Sequence, residues 1–204
     1  MDHPDLLVDW ISGSSIGAIC GALIAGSPRD RRIESLRKFW CVDTLPLWPF
    51  DGPFTHERNW TSAVQTRLFG RHGFFNPRLP SFRSRFSSFY DLAPLMRELK
   101  ELVDFELLNS GETRLSVATT DVQTGELIIF DSTDVTIEID HLLASCGFLP
   151  EFSPIEINGR LLGDGGLSAN APFEPILTGR RGTRFLLSIY SRETARGRRV
   201  WRPL

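Results

Sequence analysis

Apolar residues in this chain come in short runs separated by turn-forming residues, and the runs alternate between two periods. Leu6 to Ser12 (LLVDWIS) is a mostly apolar run of strand length, interrupted by Asp9, and predicts a short buried strand. Ile16 to Ala25 predicts the helix that follows it. Within that helix Gly17, Gly21 and Ala25 recur every four residues, giving one smooth side that can lie close against a sheet or a second helix. Ser27-Pro28 predicts the start of another helix, with a capping serine, proline at the first helical position and Asp30 in the first turn. Ile33, Leu36 and Trp40 would form its apolar stripe. Asp91 is placed to cap a helix reaching about Val103, in which Leu92, Leu95, Leu99 and Leu102 fall at helical spacing.

The second half is richer in strand patterns. Thr113 to Thr120 (TRLSVATT) and Glu126 to Asp131 (ELIIFD) predict a hairpin turning at Gln123-Thr124-Gly125. A short helix is expected around His141 to Ser145. In Pro154 to Gly163, Asn158-Gly159 between two apolar runs signals a type I′ hairpin, because both central residues of that turn need positive φ. Thr183 to Tyr190 (TRFLLSIY) predicts one more buried strand, followed by a basic tail. Interleaved strands and helices without an internal repeat point to an α/β layered domain. The stretch from Leu45 to Tyr90 breaks the pattern with prolines, aromatics and arginines around one helix expected from about Glu57 to Phe69, ended by Gly70. It reads as an insertion over the core.

A length of 204 residues with 41% hydrophobic content suits one domain with a sizeable core, and the net charge of −2 gives no electrostatic reason to expect nucleic acid. Cys20, Cys41 and Cys146 are odd in number and widely spaced, which predicts reduced core thiols and no disulfide framework. The histidines and cysteines lack metal-ligand spacing, so no metal or cofactor is expected. Met1-Asp2-His3-Pro4-Asp5 has neither the basic start nor the apolar run of a signal peptide, and no apolar run reaches membrane-spanning length. These features predict a cytoplasmic protein, with peripheral membrane contact left open.

Candidate chemistry is concentrated at two turns. Between the first expected strand and helix lies Gly13-Ser14-Ser15-Ile16-Gly17, a Gly-x-Ser-x-Gly pattern. It can place Ser15 on a sharp strand-to-helix turn with the free N–H groups of the helix start aimed at it, whereas Ser14 would point elsewhere. A plain glycine-rich turn is the alternative. A serine nucleophile needs a base, and the histidines are His3, His56, His72 and His141, none in the last 60 residues of the chain. That position disfavours the serine, acid, histidine order of an α/β-hydrolase triad. His72 reads as a surface residue, and His141 as a minor candidate. The second turn is Asp164-Gly165-Gly166, where a carboxylate follows an apolar strand. Such an aspartate can accept a proton from a serine directly if the fold brings them within about 3 Å. By itself it is also an ordinary Asp-Gly turn.

Taken together, these motifs resemble the patatin-like phospholipases, whose Gly-x-Ser-x-Gly serine pairs with an aspartate of a DGG or DGA motif and needs no histidine. Ala144-Ser145-Cys146-Gly147-Phe148-Leu149-Pro150, continuing through Phe152 and Pro154, is similar to the family's ASxxxPxxF-type segment. Asn158-Gly159-Arg160 and Asn170-Ala171-Pro172 complete the arrangement, so the likeness covers roughly residues 6–26 and 140–175. The resemblance implies a three-layer α/β/α fold with a mainly parallel central sheet. It also implies a lipid acyl hydrolase in which Ser15 attacks the ester carbonyl and Asp164 acts as base, with a phospholipid or other acyl-ester substrate and no cofactor.

One family feature is missing from the sequence. Before the serine the family has a strand and a glycine-rich loop, roughly GGGxRG, whose N–H groups form the oxyanion hole. Only five residues precede the first expected strand here, none of them glycine. The expectation is therefore an N-terminally truncated, partial domain spanning 1–204, without the first strand and oxyanion loop, leaving the Ile16 backbone as the remaining donor. A bare sheet edge beside the serine's strand should result. The competing reading is a catalytically impaired remnant or a lipid-binding module. Between Arg58 and Tyr90 there are six arginines, six phenylalanines, one tryptophan and no acidic residue. This composition fits an aromatic surface insertion packed on the core, or an interfacial surface meeting lipid phosphate and acyl chains.

Overall fold

Strand β4 (Arg114–Asp121) is the most deeply set element of the sheet, with every residue after Arg114 buried. The computed structural model describes residues 8–40, 75–77, 88–169, 172, 174–178 and 185–186. Along β4, one edge pairs antiparallel with β5 (Leu127–Asp131) from Ser116 to Thr120. The opposite edge is shared. β1 (Trp10–Ser14) pairs there parallel, from Trp10 opposite Arg114 to Ser14 opposite Ala118, and β7 (Arg160–Asp164) pairs antiparallel from Thr119 onward, with Asp164 opposite Thr119. β1 and β7 thus run towards each other along one edge of β4, and their carboxyl ends meet between Ala118 and Thr119. β6 (Ile155–Ile157) continues the sheet antiparallel beyond β7, and β8 (Phe185–Leu186) pairs parallel with β1. The α/β class is as expected, with a parallel centre of β8, β1 and β4 and antiparallel strands around it. A separate two-stranded ribbon joins β2 (Asn76–Pro77) and β3 (Tyr90–Asp91).

Helix α1 (Ile16–Ala25) has the predicted bounds and buries Ala18, Ile19, Gly21, Ala22, Leu23 and Ala25. Its small-residue side touches the sheet at Gly21, where a Cβ would lie 2.7 Å from Leu115 Cδ1 and 3.0 Å from Ile11 Cγ2. Burial of this side with Ile11, Leu115 and Val117 forms the main core, at roughly 25 cal/mol per Å² of apolar surface removed from water. Helices α2 (Arg32–Trp40), α3 (Ala93–Leu102), α4 (Phe105–Leu108) and α5 (Ile139–Ala144) complete it through Phe39, Leu95, Leu99, Leu108, Leu142 and Leu143. Strand alternation sends Ser12 to the opposite face of the sheet, where its Oγ donates to the Pro172 carbonyl at 2.8 Å, close to helix α6 (Glu174–Thr178), which contacts β1.

Several predicted details are corrected. The first strand begins at Trp10 and ends at Ser14, later than Leu6 to Ser12. Pro28 opens a turn, with Arg31 N–H donating to its carbonyl at 2.9 Å, and α2 starts only at Arg32. Ser27 caps nothing there; its hydroxyl donates to Ser35 Oγ at 2.8 Å. The packed side of α2 is that of Phe39, which is buried, while Ile33 is 64% and Trp40 43% exposed, so the expected stripe is not the buried face. The expected bare edge of β1 is paired by β8 at Trp10 and Ile11.

Other predictions stand. Asp91 Oδ1 accepts the Ala93 N–H at 3.0 Å at the start of α3. Asp121 Oδ1 accepts the N–H groups of Gln123 and Thr124 in the β4–β5 turn. Asn158 and Gly159 have φ of 53° and 76°, as a type I′ turn requires. The helix expected from Glu57 to Phe69 and most of the Leu45 to Tyr90 stretch lie outside the described residues.

Candidate active site

The meeting of β1 and β7 on one edge of β4 brings the two candidate turns together. Past Ser14 the chain turns sharply, and Ser15 joins strand to helix with φ 51° and ψ −126°. Such a backbone costs a non-glycine residue about 1–3 kcal/mol and persists only where its surroundings hold it. Two contacts impose the turn. Gly13 lies against the first turn of α1, where a Cβ would come within 2.5 Å of the Gly17 carbonyl carbon. The Ser15 N–H donates to Ser145 Oγ at 2.8 Å, and that hydroxyl donates to the Ala118 carbonyl at 2.7 Å. Gly17, by contrast, has open space where its Cβ would be, so only the first glycine of the motif is needed for close approach.

Asp164 ends β7 and starts a 3-10 turn, Gly165–Leu167. Its N–H donates to the Gly147 carbonyl at 3.1 Å, and its Oδ1 accepts the Gly166 N–H at 2.7 Å. Gly165 brings the chain close against the middle of β4: a Cβ there would collide with the Ala118 carbonyl and lie 3.0 Å from Ser14 Cβ. Asp164 consequently lies beside Ser15, whose hydroxyl is near enough to favour its charged form. Burial pushes the Asp164 carboxyl above the ordinary carboxylate range, opposed by the Ser15 hydroxyl and the Gly166 N–H. It is only 5% exposed. A buried carboxylate with raised proton affinity, set beside a serine on a strained turn, has the parts of a nucleophile and base. Helix geometry leaves the N–H groups of Ile16, Gly17 and Ala18 without intrahelical acceptors, and no side chain caps them.

The structure therefore brings together Ser15, Ile16, Asp164, Gly165 and Gly166, with Gly13 and Ser14 packed beneath. It also adds neighbours that local sequence reasoning did not assign. Ser145 holds the Ser15 backbone, and Cys146 lies against the Ser15 side chain. Burial and the Asp164 charge push the Cys146 thiol well up, so it stays protonated. Their only sequence signal was membership of the Ala144 to Pro150 segment. His141 is occupied elsewhere: its Nδ1 accepts the Glu138 N–H at 2.9 Å at the start of α5, and its ring stacks against Phe130 at 4.3 Å. Burial lowers its proton affinity further. His3, His56, His72 and Cys41 lie outside the described residues.

Among the described residues, no group of three or more His, Cys, Asp and Glu side chains is placed to hold a metal ion, and no helix is long and apolar enough to cross a membrane. A surface groove of about 580 Å³, lined by Lys100, Phe105, Asn109, Ile137 and Ile139, includes neither Ser15 nor Asp164. Asn109 there is spent on structure, holding the Ile137 backbone through both ends of its amide. Comparison with known families gives a match over residues 2–177 to the family described as patatin-like phospholipase. No curated protein matches the chain.

Proposed function

Because the chain belongs to the patatin-like phospholipase family, we propose that it hydrolyses ester bonds of phospholipids or other acyl lipids through a Ser15–Asp164 dyad. The observation that carries this reading is the meeting of β1 and β7 on β4, which sets the Ser15 hydroxyl beside a buried carboxylate whose proton affinity is raised by burial. In the first step Asp164 takes the Ser15 proton while Oγ bonds to the ester carbonyl carbon, and the carbonyl π pair moves onto oxygen. The N–H of Ile16, at the positive end of α1, faces that developing charge. Collapse restores the carbonyl and breaks the bond to the alkoxy oxygen, which receives the proton from Asp164. Water then attacks the acyl-enzyme, giving its proton to Asp164, and the departing Ser15 Oγ takes that proton back.

Purified protein, assayed with 4-nitrophenyl butyrate and with phosphatidylcholine vesicles for fatty-acid release, tests the reading. Ser15→Ala should lower turnover roughly 10⁴-fold or more. Turnover that survives Ser15→Ala sinks the mechanism. A folded protein that floats with vesicles but hydrolyses neither substrate favours a lipid-binding role instead.

A further inference from the structure

We propose that Ser145 is a positioning residue for the dyad: its buried hydroxyl pins the strained Ser15 backbone to β4 and so sets the approach of Ser15 to Asp164. The inference rests on the Ser15–Asp164 reading and adds a residue to it. Ser145 is 0% exposed, and its hydroxyl has one proton, which goes to the Ala118 carbonyl. It accepts the Ser15 N–H, so both of its contacts act on the site.

The Ala118 carbonyl is a shared anchor, because the backbone of Gly165, next to Asp164, packs against the same atoms. Two residues further on, the Gly147 carbonyl accepts the Asp164 N–H at 3.1 Å. One short segment thus ties down the main chain of both members of the dyad, with the Cys146 side chain against Ser15 between them. A second consequence concerns the oxyanion. With the Ser15 N–H committed to Ser145, charge stabilisation at this turn falls to the free N–H groups that begin at Ile16.

The test compares wild type, Ser145→Ala and Ser145→Thr in the full chain, with Ser15→Ala beside them. The readouts are steady-state kinetics on 4-nitrophenyl butyrate and amide hydrogen exchange by NMR. Loss of the pin should lower kcat about tenfold to 100-fold at nearly unchanged KM, since small displacements of a reacting group have effects of that size. The Ser15 amide should exchange at least about tenfold faster, while those of Leu115 and Val117 in β4 keep their protection. Ser145→Thr, which retains the hydroxyl, should recover most of both. If Ser145→Ala does not fold, Ser145→Cys keeps the volume with a much weaker hydrogen-bonding group and replaces it. Unchanged kcat and unchanged Ser15 exchange, with Ser15→Ala inactive, overturn the role of Ser145 alone. Turnover surviving Ser15→Ala overturns the dyad, and the positioning role falls with it.

Discussion

Asp131 and Asp164 close two strands of the same sheet and are equally hidden, each 5% exposed, yet their carboxyls move in opposite directions. Burial pushes both up. At Asp131 that push is overcome by Arg114, whose Nε lies 2.8 and 3.0 Å from the two oxygens, and by the Ser116 and Thr133 hydroxyls and the Thr133 N–H. Arg114 is itself steadied over the Trp10 ring, 3.7 Å from its centroid, and Trp10 Nε1 donates to Ser116 Oγ at 2.8 Å. The carboxylate is locked in its charged form and stitches β1, β4 and β5 together. At Asp164 burial meets only the Gly166 N–H and the hydroxyl of Ser15, and among the described residues no arginine or lysine offsets it. Equal burial therefore yields a structural ion at one strand end and a proton acceptor at the other. The deciding variable is the number and charge of the donors.

The largest effects should break the two apart. Asp164→Asn is expected to reduce ester hydrolysis roughly 10³-fold or more. It should melt no lower than wild type at neutral pH, because the folded state favours the protonated form and the amide removes a buried charge. Asp131→Asn should do the reverse, costing about 1–3 kcal/mol by leaving Arg114 and its hydroxyl partners poorly paired, while the folded fraction keeps its kcat. Thermal melts and active-site-normalised assays read both, and a loss of stability in Asp164→Asn equal to that in Asp131→Asn would remove the distinction.

The pH dependence sharpens the contrast. Asp164 must be ionised to accept the serine proton, so kcat/KM should fall with acidification through a pKa above the ordinary 3.8. Asp131 has a folded value below its unfolded one. Its stabilising contribution is present above the unfolded value and is lost as pH falls through the lowered folded value. Activity should therefore disappear at a higher pH than the Asp131 share of stability, and coincident transitions in a kinetic profile and a denaturation series would contradict the separate roles.

The smallest effect comes from a third pair. Arg29 Nε lies 2.7 Å from Glu112 Oε1, as close as Arg114 lies to Asp131, but these side chains are 56% and 38% exposed. Arg29→Ala should change stability by less than about 1 kcal/mol. A larger change in urea titration would show that contact distance, and not burial, governs these pairs.

Local pattern was sufficient wherever the physics is local. The small-residue helix Ile16–Ala25, the cap at Asp91, the hairpin turn at Gln123-Thr124-Gly125 and the positive-φ pair Asn158-Gly159 each depend on neighbours within a few residues. Ser27-Pro28 misled because a capping signal says where a helix can begin, while the burial of Phe39 and the Ser27–Ser35 bond favour the start at Arg32. In the same way, the chain order of the two motifs was readable but the role of Ser145 was not. A serine between alanine and cysteine carries no local mark of the distant backbone N–H it will hold.

The sequence by itself determined the two turns: glycine at position 13 lets α1 close onto β1, and glycine at 165 lets the chain after Asp164 pass close against the middle of β4. It also placed a serine and a carboxylate on those turns. That the turns face each other was decided only by tertiary structure, because β1 and β7 approach head-on along one edge of β4. The proton affinity of Asp164 was decided there too, since burial is a property of the packed sheet and not of the Asp-Gly-Gly motif.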